Sequence, residues 1–235
     1  MERGLAPTIE RARTEIIAGN VLVADQPARN ASDWVRVDQE LRLRDAVPKY
    51  VSRGGLKLAA ALDAFQVDPR GRYAADLGAS TGGFTDCLLQ RGAARVYAID
   101  VGYNQLAWKL RQDARVVVME RTNARDLVAL PETVSLIVGD LSFISLGAIL
   151  PAVRRLLAPG AEAVLLIKPQ FEVAAEKIGP GGRLRDDEAR AAAIGAVLAA
   201  AEGEGFTVAG VIECPIPGAK AGNIEALVWL TVTDR

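Results

Sequence analysis

"FTVAGVIECPIPGAKAGNIEALVWLTV", residues 206–232, decides the fold. Its two apolar runs, 206–213 and 224–232, are rich in Val, Ile, Phe and Thr and read as strands. Only "CPIPGAKAGN" separates them. A crossover between parallel strands needs a dozen or more residues, usually helical, and the prolines and glycines here leave no helix. The two strands therefore form an antiparallel pair at the end of a sheet.

Upstream, short apolar strands alternate with helical patterns from about Tyr73. The strands are "YAADL" (73–77), "RVYAID" (95–100), "RVVVME" (115–120), "VSLIVGD" (134–140) and "AVLLIK" (163–168). Helices are expected over 82–92 and 183–205, the second stopped by glycines. Strand–helix alternation specifies a parallel α/β sheet. The expected architecture is a doubly wound, seven-stranded Rossmann-like sheet with a terminal antiparallel hairpin.

The front of the chain differs. "TIERARTEIIAG" (8–19) reads as an amphipathic helix with Ile9, Ala12, Ile16 and Ile17 available for one face and Gly19 as its stop. "NVLVAD" (20–25) and "WVRVDQELRL" (34–43) then read as strands. Residues 1–45 are thus expected to be a small α+β domain and 46–55 an exposed linker carrying Pro48, two glycines and basic residues. The main domain is expected over 56–235.

The chain has 235 residues, half of them hydrophobic, enough for one substantial core and a satellite. Lys plus Arg is 28 and Asp plus Glu is 29, so there is no global charge argument for nucleic acid, although residues 1–57 carry a net +2. Histidine is absent, which removes Ser-His-Asp triads, Cys-His pairs and His-ligated zinc. Cys87 and Cys214 have no metal-ligand spacing. The longest apolar stretch, 134–150, is broken by Asp140 and two glycines, so no membrane span is expected. The charged start lacks a secretory core, and the expected compartment is the cytoplasm.

"DLGASTGGF" (76–84) follows the first sheet strand and opens a helix. Glycines there allow a sharp turn and close backbone approach to a ligand, and the helix start offers free N–H groups. A nicotinamide fingerprint would require glycine where Ser80 stands. The frame D-x-G-x-x-x-G, Asp76 to Gly82, instead resembles the loop of S-adenosylmethionine-dependent methyltransferases. Asp100 ends the second strand 22 residues after Gly78, placed to accept hydrogen bonds from ribose hydroxyls.

In an open parallel sheet, ligands bind beyond the carboxyl ends of the strands. Asp140 and Lys168 end two strands there, and Glu225 starts the antiparallel last strand, which brings it to the same edge. Lys57 lies on a helix ahead of the first strand. Singly, each reads as a strand-end residue meeting solvent; together they are two charges of each sign at one edge.

These four match the Lys-Asp-Lys-Glu tetrad of the FtsJ-like ribose 2′-O-methyltransferases. "YVSRGGLKL", "DLGASTGGFTDCLL", "GDLSFISL", "LIKPQFE" and "GNIEALVWL" resemble the TlyA (haemolysin A) branch over nearly the whole chain. "RGLAPTIERARTEIIAGNVLV" resembles the small RNA-binding domain named from ribosomal protein S-four. That domain opens here without its usual short leading segment, and Ile9 stands where arginine is common. The resemblance implies catalytic roles for Lys57, Asp140, Lys168 and Glu225. It implies a cofactor site of Asp76, Gly78, Ser80, Thr81, Gly82, Gly83, Phe84, Asp100, Asn123 and Asp140. Arg3, Arg11, Arg13, Lys49 and Arg53 are implied as RNA contacts. The implied reaction moves a methyl group from S-adenosylmethionine to a ribosomal RNA ribose, at a cytidine, without a metal.

A lysine acts as base toward a ribose hydroxyl only if its pKa falls, and nearby carboxylates oppose that, so Lys168 reads either as base or as positioning cation. Phe143 and Phe171 are candidates to hold the target nucleotide, against the commoner use of aromatics as core. Three other classes stand as alternatives: a catalytically idle RNA-binding assembly factor, a membrane-lytic protein and a nicotinamide-dependent reductase. No Tyr-x-x-x-Lys pair supports the last.

Overall fold

The structure, a computed structural model, describes residues 5–6, 8–17, 19–24, 26–28, 30–36, 39–43, 49–218 and 221–232. It divides into two units, Met1–Lys49 and Tyr50–Arg235.

In the small unit, α1 (Ile9–Ile17) is followed by β1 (Val21–Val23), β2 (Gln26–Pro27) and β3 (Leu41–Leu43). The strands form an antiparallel sheet in the order β2-β1-β3. Gly19, at φ +71°, ends α1 with its N–H on Ile16 C=O, the stop expected from sequence. The expected apolar face of α1 is not buried: Ile9 and Ile17 are exposed and no residue of the helix is buried. Among the described residues, the strand expected over 34–43 is found at Leu41–Leu43, and Trp34 is exposed.

The large unit opens with α2 (Gly54–Phe65), then β4 (Tyr73–Leu77), α3 (Gly83–Gln90), β5 (Arg95–Ile99), α4 (Trp108–Arg111), β6 (Val116–Met119) and β7 (Val134–Gly139). It continues with α5 (Leu150–Leu156), β8 (Leu157–Ile167), α6 (Asp187–Gly203), β9 (Phe206–Glu213) and β10 (Ala226–Val232). The sheet order is β6-β5-β4-β7-β8-β10-β9. Strand β10 alone runs opposite to the other six, inserted between β8 and β9 and antiparallel to both.

Alternation along the central strands fills both faces. Leu136, Val138, Val164 and Leu166 pack under α2 and α3 with Leu58, Leu62 and Leu88. Ile137, Leu165 and Ile167 face the other way, with Leu150, Val153 and Val197 of α5 and α6. Strand β8 begins six residues earlier than expected. The Val134–Leu157 pair is followed by Leu136–Glu162, so the Pro159-Gly160 stretch bulges out of the ladder.

The expected exposed linker is corrected in its second half. Tyr50 is 2% exposed, and a Cβ on Gly55 would fall 2.4 Å from its ring. Val51 donates its N–H to Asp86 Oδ2 of α3 at 2.8 Å. Residues 50–55 thus belong to the large unit, and the close α2–α3 contact they create carries Lys57 to the sheet edge.

Candidate active site

Strand register assembles the site. Asp140 follows Gly139 at the end of β7, donating its N–H to Leu77 C=O of β4. Ala226 of β10 pairs with Ile167 of β8, so the next residues outward, Glu225 and Lys168, stand across from each other. Asp100 extends β5, paired at Ile99 with Leu77. One edge of five adjacent strands therefore carries Asp100, Gly78, Asp140, Lys168 and Glu225.

The side chains form two ion pairs. Lys168 Nζ lies 2.6 Å from Asp140 Oδ1 and donates to Ser142 Oγ at 2.7 Å. Asp140 Oδ1 is buried and close to that ammonium, yet has no aligned hydrogen bond. Lys57 Nζ is bonded to Glu225 Oε2, with Lys57 7% and Glu225 3% exposed. Gln170 Nε2 approaches Glu225 Oε1 at 3.4 Å. Burying such charges is tolerable only because each has its counterion.

Asp140 and Ser142 also divide and connect the open space. On one side lies a groove of about 580 Å³ lined by both lysines, Glu225, Gln170, Phe171 and Asn223. On the other lies a cavity of about 440 Å³ lined by Gly78, Ser80, Asp100, Asn123 and Leu141. A smaller one of about 170 Å³, under the glycine loop, touches Thr81, Gly83, Phe84 and Lys168. Phe143, 84% exposed, stands at the rim shared by groove and cavity, with its ring 5.3 Å from Phe171.

This layout is a two-chamber site with a charged junction, and the sequence profile of the FtsJ-like methyltransferase family matches residues 50–232. This chain belongs to that family. Over 239 residues it is 47% identical to the 16S/23S rRNA (cytidine-2'-O)-methyltransferase TlyA of Mycobacterium tuberculosis, covering 100% of this chain and 89% of that one. It is 40% identical to Hemolysin A of Brachyspira hyodysenteriae, covering 97% and 96%. A solved structure from Streptococcus thermophilus, bearing a hemolysin name, superposes at a TM-score of 0.78 with 42% identity, over 99% of this chain and 86% of that one.

The FtsJ-like domain fits a cofactor with ribose hydroxyls and an amino-acid tail. Asp100 accepts from Ser80 N–H at 2.8 Å and Gly102 N–H at 2.6 Å, leaving lone pairs toward the cavity. Gly78, at φ +81°, is strained for any side chain, and a Cβ would lie a tight 3.1 Å from Asp140 C=O. Gly78, Ser80, Thr81, Gly83, Phe84, Asp100, Asn123 and Asp140 all line one or another of these chambers.

Two of the expected cofactor residues sit elsewhere in the FtsJ-like domain. Asp76 is fully buried, and its Oδ2 accepts from Thr85 N–H at 2.9 Å and Thr85 Oγ1 at 2.6 Å, pinning α3 to β4. Its Oδ1 has no partner, and burial pushes the carboxyl up to about 7. Gly82 faces away from the cavity, where a Cβ would collide with Leu110 and Leu106.

Of the expected RNA contacts, Arg3 lies outside the described residues. Arg11 is paired with Glu15, Arg13 and Lys49 are exposed, and Arg53 donates to Pro217 C=O at the groove rim. Sequence reasoning missed Ser142, Gln170, Asp86 and Asn223. The first two directly follow Asp140 and Lys168 by two residues, which was the available signal. Among the described residues, no helix is long and apolar enough to cross a membrane, and no group of three or more His, Cys, Asp or Glu comes together to hold a metal.

Proposed function

We propose that this enzyme methylates a ribose 2′-hydroxyl of ribosomal RNA, at a cytidine, in the cytoplasm. The observation that carries the reading is the Lys168–Asp140 pair at the junction of the two chambers. The M. tuberculosis relative, named for that reaction and 47% identical over the full chain, supports it.

S-adenosylmethionine supplies an electrophilic methyl group on a sulfonium. Asp100 and Asn123, which line the donor cavity, would hold its ribose, and Gly78 would let the backbone approach its tail. Lys168, anchored by Asp140 and Ser142, orients the acceptor hydroxyl toward the donor chamber. The hydroxyl proton would pass to Lys168 Nζ as Lys168 yields its own proton to Asp140 Oδ1, 2.6 Å away. The Lys57–Glu225 pair braces the far wall of the groove. Holding donor and acceptor in line supplies much of the acceleration. The small unit, with exposed Arg13, is the RNA-holding module of the scheme.

The test uses donor labelled in its methyl group and ribosomal subunits lacking the modification. Label is expected in an alkali-resistant dinucleotide, with Lys168→Ala slower by about 10² to 10⁴. Label in a base instead of a ribose, or equal rates for the variant, would overturn the reading.

A further inference from the structure

Besides Lys168, the groove is lined by two glycine-bearing loops, one carrying Gly181 and Gly182 and the other Gly218. Asn223, 5% exposed, holds them together. Its Oδ1 accepts from Leu184 N–H at 2.9 Å, its Nδ2 donates to Gly182 C=O at 2.9 Å, and its own C=O accepts from Gly218 N–H at 2.9 Å. The first two bonds take both backbone groups from one edge of the 182–184 segment, as a neighbouring strand would.

This docking has a consequence for the arginines. In extended backbone, side chains two apart share a face. Arg183 is extended, at φ −93° and ψ 125°, and the exposure pattern is out, half-in, out for Arg183, Leu184 and Arg185. Arg183 and Arg185 are both exposed, directly after the groove-lining Gly181 and Gly182 in the chain. Neither has an ion-pair partner among the described residues. The acids that follow are occupied: Asp186 caps α6 through Glu188 and Ala189 N–H, and Asp187 pairs with Arg190. Gly181 and Gly182, at φ +73° and +79° with open space around them, let a ligand approach the backbone closely.

We propose that residues 179–185 are a phosphate clamp for the RNA strand flanking the target ribose. Arg183 and Arg185 are its ligands and Asn223 is the positioning residue that presents it. The proposal rests on RNA being the acceptor. It adds a binding element outside the tetrad and outside the small unit.

The test measures methyl transfer to unmodified ribosomal subunits, and filter binding of the same subunits, across a salt series. Arg183→Ala/Arg185→Ala is expected to raise KM and Kd about tenfold at low salt. It should lower the salt slope of log Kd by about two, with kcat and cofactor binding unchanged. Asn223→Ala removes no charge, yet it should raise KM similarly and speed hydrogen exchange at Leu184 at least tenfold without RNA. Asn223→Asp keeps the acceptor for Leu184 but sets a carboxylate against Gly182 C=O. It should therefore preserve Leu184 protection and still raise KM. A double arginine variant with the wild-type salt slope overturns the clamp, as does an Asn223→Ala protein with unchanged KM. If the wild type binds subunits with a slope that the arginine variant lowers, but transfers no methyl group, the clamp stands and the methylation reading falls.

Discussion

Glu225 stands across from Lys168 at the end of the β8–β10 ladder, yet its carboxylate is bonded to Lys57, 168 residues away in sequence. Each lysine of the tetrad thus has its own acid, and the two pairs do different work. Asp140 lines both chambers and Lys168 the groove and the small cavity under the glycine loop, whereas Lys57 and Glu225 are almost wholly buried in one wall.

Removing one member of the buried pair strands the other. Lys57→Met should cost about 3 to 5 kcal/mol, read as a fall in the urea midpoint, because Glu225 loses its counterion. Lys57→Met/Glu225→Leu should recover most of that stability while remaining slow in methyl transfer. A double variant as unstable as the single one would show that the pair is not the cause.

Gly78 makes a separate point about the donor chamber. Gly78→Ala places a Cβ 3.1 Å from Asp140 C=O on a backbone at φ +81°. Calorimetry should show donor binding weakened at least tenfold, with strain costing about 1 to 2 kcal/mol of stability. Unchanged donor affinity would mean that the loop does not approach the ligand.

Asp76 gives a pH signature. Its carboxyl titrates near 7 in the folded protein against an ordinary value of 3.8, chiefly through burial. Between those values the folded state holds a proton that the unfolded chain has released. The contribution is full below the ordinary value and is lost as pH rises through 7. Raising pH from 5.5 to 8 should therefore remove about 2 kcal/mol through this group. Asp76→Asn should flatten that part of the stability–pH curve; an unaltered slope would place the titration elsewhere.

Phe143 is a non-glycine residue at φ +64° with its ring in solvent. Such backbone conformations cost about 1 to 2 kcal/mol and persist where function holds them. Phe143→Gly should leave the melting temperature unchanged or raise it, while increasing KM for RNA. A marked drop in melting temperature would make the ring a packing residue.

Much of this architecture was legible in the chain. The ten-residue gap before residue 224 forced the antiparallel β10, and that reversal alone brings Glu225 to the edge where Asp140 and Lys168 end. Strand limits were clear wherever apolar runs met charged or glycine residues, as at 73–77 and 206–213. They failed at β8, because Pro159-Gly160 reads locally as a break while the ladder tolerates it as a bulge. The site's membership of one edge followed from strand ends, but its pairing did not. Nothing local to Lys57 announces Glu225 as partner, and Asp76 reads like a ligand although Thr85 has claimed it. The face of α1 failed for a different reason: amphipathic spacing shows what a helix has available to bury, and here none of it is buried.

Strand β10 is synthesised last of the ten but sits inside the sheet, between β8 and β9. A ribosome-bound chain that has not yet released residues 225–232 therefore leaves the β8 edge unpaired, and Lys57 lacks its acid. The growing polypeptide is an adhesive edge before it is an enzyme. The buried pair forms only when β10 threads between β8 and β9, so a chain broken off before residue 225 leaves Lys57 without its counterion.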